Sequence, residues 1–91
     1  MFRIEWNDFV SGLYDEGVYD KKFNSEEEAI QFLVEDILEN YGAQVCYCEE
    51  YCEGYIPEKE FINTIRKSLL EDGEFDLKIL DNSYYWCIEE D

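Results

Sequence analysis

The chain has no histidine, one proline, one methionine and seven lysines and arginines in 91 residues. Without an imidazole, a Ser-His-Asp or Cys-His relay is excluded, and so is the side chain that most often moves protons near neutral pH. Nothing takes its place. Carboxylate pairs such as Glu49–Glu50 and Glu89–Glu90 are what 24 Asp and Glu produce by chance. Asp15 to Asp20 lacks the ligand spacing of an EF-hand loop, and there is no Gly-rich phosphate loop. The expectation is therefore a protein that is not an enzyme and carries no cofactor. Long apolar runs are also missing. Nothing approaches the ~20 apolar residues that span a bilayer, and the opening Met1-Phe2-Arg3-Ile4-Glu5-Trp6 lacks the apolar core of a signal peptide. These absences predict a cytoplasmic location.

The shortage of cations leaves a net charge of −17. A magnitude of about 2–8 is ample to keep a small domain soluble, so the excess points to a role that uses charge. Direct contact with nucleic acid or with an anionic membrane is disfavoured, because both would repel the chain. A strongly basic protein is the complementary partner. The acids do not belong to a disordered tail: 46% of the residues are hydrophobic and 18% aromatic, enough for a folded core. Residues 1–91 are read as a single domain.

What is present is concentrated between Phe23 and Glu58, which hold ten acidic residues and no lysine or arginine. Ser25 and Glu28 make a capping box that predicts a helix start, and Glu26 and Glu27 suit the positive end of the helix dipole. Ile30, Leu33, Val34, Ile37, Leu38 and Tyr41 follow at helical spacing, and Gly42 is read as the stop. The six carboxylates Glu26, Glu27, Glu28, Glu35, Asp36 and Glu39 occupy 14 residues. At ~1.5 Å per residue this is one charge per ~3.5 Å, close to the roughly 3.4 Å phosphate spacing of one DNA strand.

Around this helix, Phe2, Ile4 and Trp6 alternate like a half-buried strand, and Val18 to Phe23 reads as an antiparallel partner joined through Gly12 and Gly17. Ala43 to Cys48 has strand character, and Glu49 to Tyr55 reads as an acidic, aromatic loop. Pro57 suits the first turn of a second helix with the stripe Phe61, Ile62, Ile65, Leu69 and Leu70, the basic pair Arg66–Lys67 near its end, and Gly73 as its cap. Phe75 to Leu80, the turn Asp81-Asn82-Ser83 and Tyr84 to Ile88 form a hairpin. The fold class expected is α+β: two helices on one face of a mostly antiparallel sheet of about four to five strands.

Two groups of residues could carry chemistry. Cys46, Cys48 and Cys52 with the distant Cys87 could form a four-thiolate zinc site, although CxC followed by CxxxC is a poor match to paired CxxC turns. Against that stands the ordinary role of cysteine as a small buried residue, so a small zinc-stabilised domain is the third reading. The second group is Glu49, Glu50, Tyr51, Glu53 and Tyr55. Together with the helix acids they offer carboxylates in place of phosphates and rings in place of bases, suited to an arginine-rich groove. The expected function is a nucleic-acid mimic that blocks the basic nucleic-acid channel of a host protein. Phage-encoded inhibitors of anti-CRISPR or anti-restriction type are the class that uses this strategy. The alternative is a general protein-interaction module, an antitoxin or adaptor, binding through the aromatic loop. The sequence leaves monomer and dimer equally open.

Overall fold

A computed structural model describes residues 1–47 and 56–91. Strand β1 (Phe2–Val10) turns back into β2 (Leu13–Val18); helices α1 (Glu26–Tyr47) and α2 (Glu58–Asp72) follow; β3 (Glu74–Ile79) and β4 (Asn82–Glu90) close the chain. The four strands form one antiparallel sheet in the order β2-β1-β4-β3, with the first and last strands paired at its centre. Both helices pack on one face of this sheet, so the expected α+β architecture is the one found, with four strands.

Alternation on the strands places the core. Ile4 on β1, Phe75 and Ile79 on β3 and Trp86 on β4 are buried on the helix-bearing face, where they meet Ile30, Leu33 and Ile37 of α1 and Phe61, Ile65 and Leu69 of α2. Burying side chains of this size is worth about 1.5–3 kcal/mol each, enough to hold a strongly charged chain together. No helix among the described residues is long and apolar enough to cross a membrane.

The fifth expected strand, Ala43 to Cys48, does not exist in its described part: α1 continues through it to Tyr47. Gly42 stays in the helical conformation, since among the described residues the glycines with positive φ are Gly12 and Gly73. It is buried in the helix, and a Cβ there would come within 3.0 Å of Leu38 Cδ1. Val45 and Cys46 are buried as well, and this tertiary burial outweighs their β propensity.

The second strand is also shifted. The hairpin turns tightly at Ser11–Gly12, both with positive φ (54° and 81°), which is the geometry of a two-residue type I′ turn. Pairing therefore begins at Val10–Leu13. The segment expected to be the strand runs along the same edge of β1 more loosely, held by Tyr19 N–H to Ile4 and by a single bridge between Phe2 and Phe23.

The second helix forms between the expected Pro57 and Gly73, with Pro57 at its N-cap rather than in its first turn. Pro57 immediately precedes α2, and Gly73 caps it at φ 73°, its N–H bonding the Leu69 carbonyl. The helix runs on to Asp72, so Arg66 and Lys67 lie before its last turn, which has no basic residue, and Leu70 is exposed outside the buried stripe.

Candidate anionic surface and the aromatic hollow beside it

The N-terminus of α1 forms much as the capping motif predicts. Ser25 Oγ accepts the Glu28 N–H at 3.2 Å, while the Glu28 carboxylate reaches back to the Asn24 N–H at 3.3 Å, one residue beyond the usual partner. The helix then splits its six candidate carboxylates among four directions. Glu28, Glu35 and Glu39 are exposed and, seven and eleven residues apart, fall within about 40° of one another around the axis. Glu26 is exposed away from this stripe. Glu27 turns toward α2 and pairs with Arg66 Nη1 at 2.9 Å, with Gln31 completing the contact to the same guanidinium. Asp36 is half-buried and accepts the Tyr19 hydroxyl at 2.6 Å. Along the stripe, neighbouring carboxylates are therefore about 6–10 Å apart rather than 3.5 Å. The span that is free of cations in sequence is not so in space, because Arg66 and Lys21 both come alongside it. Lys21 Nζ sits 5.3 Å from the Phe32 ring centre and 5.4 Å from that of Phe23.

Glu49, Glu50, Tyr51, Glu53 and Tyr55 lie outside the described residues, as do Cys48 and Cys52. Of the other two cysteines, Cys46 is buried on α1, while Cys87 alternates with the buried Trp86 and so faces away from the helices. The sheet lies between them, and the structure does not bring them together. Cys87 instead has Glu5 and Glu89 as neighbours on the open face, with ligand atoms within 4.8 Å of one another. Burial there, the largest cause, pushes the Cys87 thiol up, so it is protonated at neutral pH.

The feature that sequence reasoning missed is a hollow on the helix-bearing side of the sheet. Trp6, Asp8, Tyr84 and Trp86 form its floor from the central strand pair, and Tyr19 and Tyr41 form its walls from the segment after β2 and from α1. Its volume is about 220 Å³. The Tyr41 ring centre is 4.5 Å from that of Tyr84 and 5.7 Å from that of Trp86. The Trp6 indole lies against Gly17, directly opposite it on β2, where a Cβ would approach Trp6 Cζ2 to 2.8 Å. Glycine is required there because the indole occupies the place of a side chain. Burial first, then Tyr84 and the charges of Asp8 and Asp36, push the Tyr41 phenol up to about 12. Tyr19 is raised further, by burial and then by its hydrogen bond to Asp36. The signal in sequence was an alternation of Trp6 with Asp8 and of Tyr84 with Trp86; strand register alone joins the two pairs.

Comparison with known proteins returns no match: no family model, no curated protein and no solved structure is significantly similar to this chain.

Proposed function

We propose that the protein is an anionic mimic of nucleic acid that occupies the basic nucleic-acid channel of a target protein in the cytoplasm, as phage-encoded inhibitors of anti-CRISPR or anti-restriction type do. The observation that carries this reading is uncompensated charge on a folded scaffold. Among the described residues, which hold 21 of the 24 Asp and Glu, the acids in ion pairs are Glu5, Glu27 and Asp91. Helix α1 holds the exposed Glu28, Glu35 and Glu39 on one side of a rod about 33 Å long, and Glu26 extends the charge at its start. The steps of about 6–10 Å give roughly a third to a half of the charge density of one DNA strand, so the surface imitates the sign and line of a backbone rather than its phosphates one by one. A basic channel would be steered onto this surface and then form charge-assisted hydrogen bonds to it.

The test is capture from a bacterial lysate on the immobilised protein, eluted in salt steps, with Glu28, Glu35 and Glu39 all changed to Lys as the control. The expected partner binds nucleic acid, elutes at moderate salt, is lost with the control, and is displaced by a duplex oligonucleotide. A partner retained through both salt and charge reversal would remove the mimic reading.

A second reading, a protein-interaction module, draws on a different observation. The β1–β2 hairpin exposes Phe9, Leu13, Tyr14 and Val18. If that hairpin is the contact, Leu13→Ser with Tyr14→Ser will abolish capture while charge reversal on α1 leaves it intact.

A further inference from the structure

The hollow between α1 and the β1–β4 pair combines two preferences that point to the same kind of occupant. Its walls and floor carry the rings of Trp6, Tyr41, Tyr84 and Trp86, and aromatic rings attract a cation held within about 6 Å of a ring centre. Asp8 opens into the same space. It lies directly opposite Tyr84 on one side and directly opposite Asp15 on the other, so two carboxylates face each other across an antiparallel pair. That arrangement costs stability unless a positive charge offsets it. Among the described residues no lysine or arginine lines the hollow, and the Asp8 carboxylate has neither an ion pair nor a hydrogen bond. The chain's own cations are placed elsewhere: Arg3 and Lys22 meet at Asp91, and Arg66 is held by Glu27.

Size and shape narrow the choice of occupant. About 220 Å³ is less than the roughly 300–1,000 Å³ of sites that take drug-sized ligands, and suits a single side chain. A lysine ammonium is compact and strongly hydrated, whereas a guanidinium is planar, sheds water more easily, stacks on rings and still donates to a carboxylate at its edge.

We propose that the hollow receives one arginine side chain of the basic partner, its guanidinium against the Tyr41 and Tyr84 rings and donating to Asp8. This inference rests on the reading of a basic protein partner and adds the residue type and the place of an anchor. The anchor works over a short distance in a partly dry site, unlike the carboxylates on α1, and gives register to a contact that charge alone leaves free to slide.

The experiment is an NMR titration of the isotope-labelled full chain with the capped tripeptide Gly-Arg-Gly and its lysine and citrulline counterparts. The arginine peptide should saturate, with shifts centred on the Trp6 and Trp86 indole N–H groups. The lysine peptide should bind at least about fivefold more weakly and the neutral citrulline peptide should not saturate. Asp8→Asn should weaken the arginine peptide at least about fivefold, Tyr41→Leu should do so with both carboxylates in place, and Glu71→Gln, at an exposed position on α2, should change nothing. Equal binding of the lysine or citrulline peptide, indifference to Asp8→Asn, or shifts spread along Glu28 to Glu39 would overturn the proposal. If the arginine peptide binds as expected while the captured partner is not displaced by a duplex, the hollow stands and the mimic reading fails. If the partner is displaced and the peptide does not bind, the hollow alone is removed.

Discussion

The acids on the outer stripe of α1 and the two beside the aromatic hollow carry the same chemical group in different surroundings. Glu28, Glu35 and Glu39 project into water, where two unit charges 4 Å apart interact by only ~1 kcal/mol and salt screens them beyond about 8–10 Å. Asp8 and Asp36 are half-buried against rings, where the effective dielectric is lower and each carboxylate adds to the effect of burial on the Tyr41 phenol. The stripe can therefore attract a basic surface from a distance without choosing its orientation. The hollow acts over a few ångströms and can choose. Net charge alone would not separate the two, because it counts a carboxylate equally wherever it stands.

Four changes separate the two regions further. The largest effect is expected from converting Glu28, Glu35 and Glu39 together to Lys: partner affinity at low salt should fall by about a hundredfold or more, and the salt dependence of what remains should flatten, read by binding isotherms at several salt concentrations. Next is Gly17→Ala. Its Cβ would press on the Trp6 indole at 2.8 Å, so it should cost about 1–3 kcal/mol in denaturant unfolding and spoil the hollow while sparing the stripe. The third concerns pH. Tyr41 has an ordinary value of 10.0 and is held near 12 in the folded protein, so the unfolded chain loses the phenolic proton first. Stability from this source is complete below pH 10 and drains away as pH rises toward 12. Tyr41→Phe should flatten that decline in alkaline unfolding curves, whereas Glu35→Gln on the stripe should leave it unchanged. The smallest effect belongs to Arg66→Ala, which frees Glu27 beside the stripe. Stability should move by about 0.5 kcal/mol or less, and partner binding should strengthen slightly at low salt.

The parts of the fold that were legible in sequence are those bounded by residues with one dominant conformational role. Pro57 and Gly73 frame α2, Ser25 and Glu28 start α1, and the alternation of Phe75, Leu77 and Ile79 identifies β3. Gly42 misled because glycine also fits where a neighbour comes close, and here the neighbour is Leu38 of the same helix. Gly12 is legible in sequence as part of the connection but not as its tight turn, because Gly17 and the strand pattern of Val18 to Phe23 draw the expected strand further along, whereas positive φ at Ser11 and Gly12 makes that pair the point of reversal. For the site, the acids of α1 were legible as charge but not as directions. Glu27 and Asp36 are drawn off by Arg66 and Tyr19, partners 39 and 17 residues distant. The hollow was out of reach for the same reason: Trp6 and Trp86 meet only through the pairing of β1 with β4.

That central pairing also governs how the molecule comes into being. Of the strands described, β1 comes earliest in the sequence and is flanked on one side by β4, which comes latest, in a register running from Phe2–Glu90 to Phe9–Ser83. Until residue 90 is available, one edge of β1 stays open and Trp6 has no Trp86 beside it. Before β4 is made, the β1–β2 hairpin and both helices can pack on one another but lack the strand that supplies Trp86 to the core. Folding then depends on contacts of the longest sequence separation this chain permits, which favours slow closure. The dense negative charge has a use in that interval too: nascent chains that repel one another are less prone to pair their waiting strand edges.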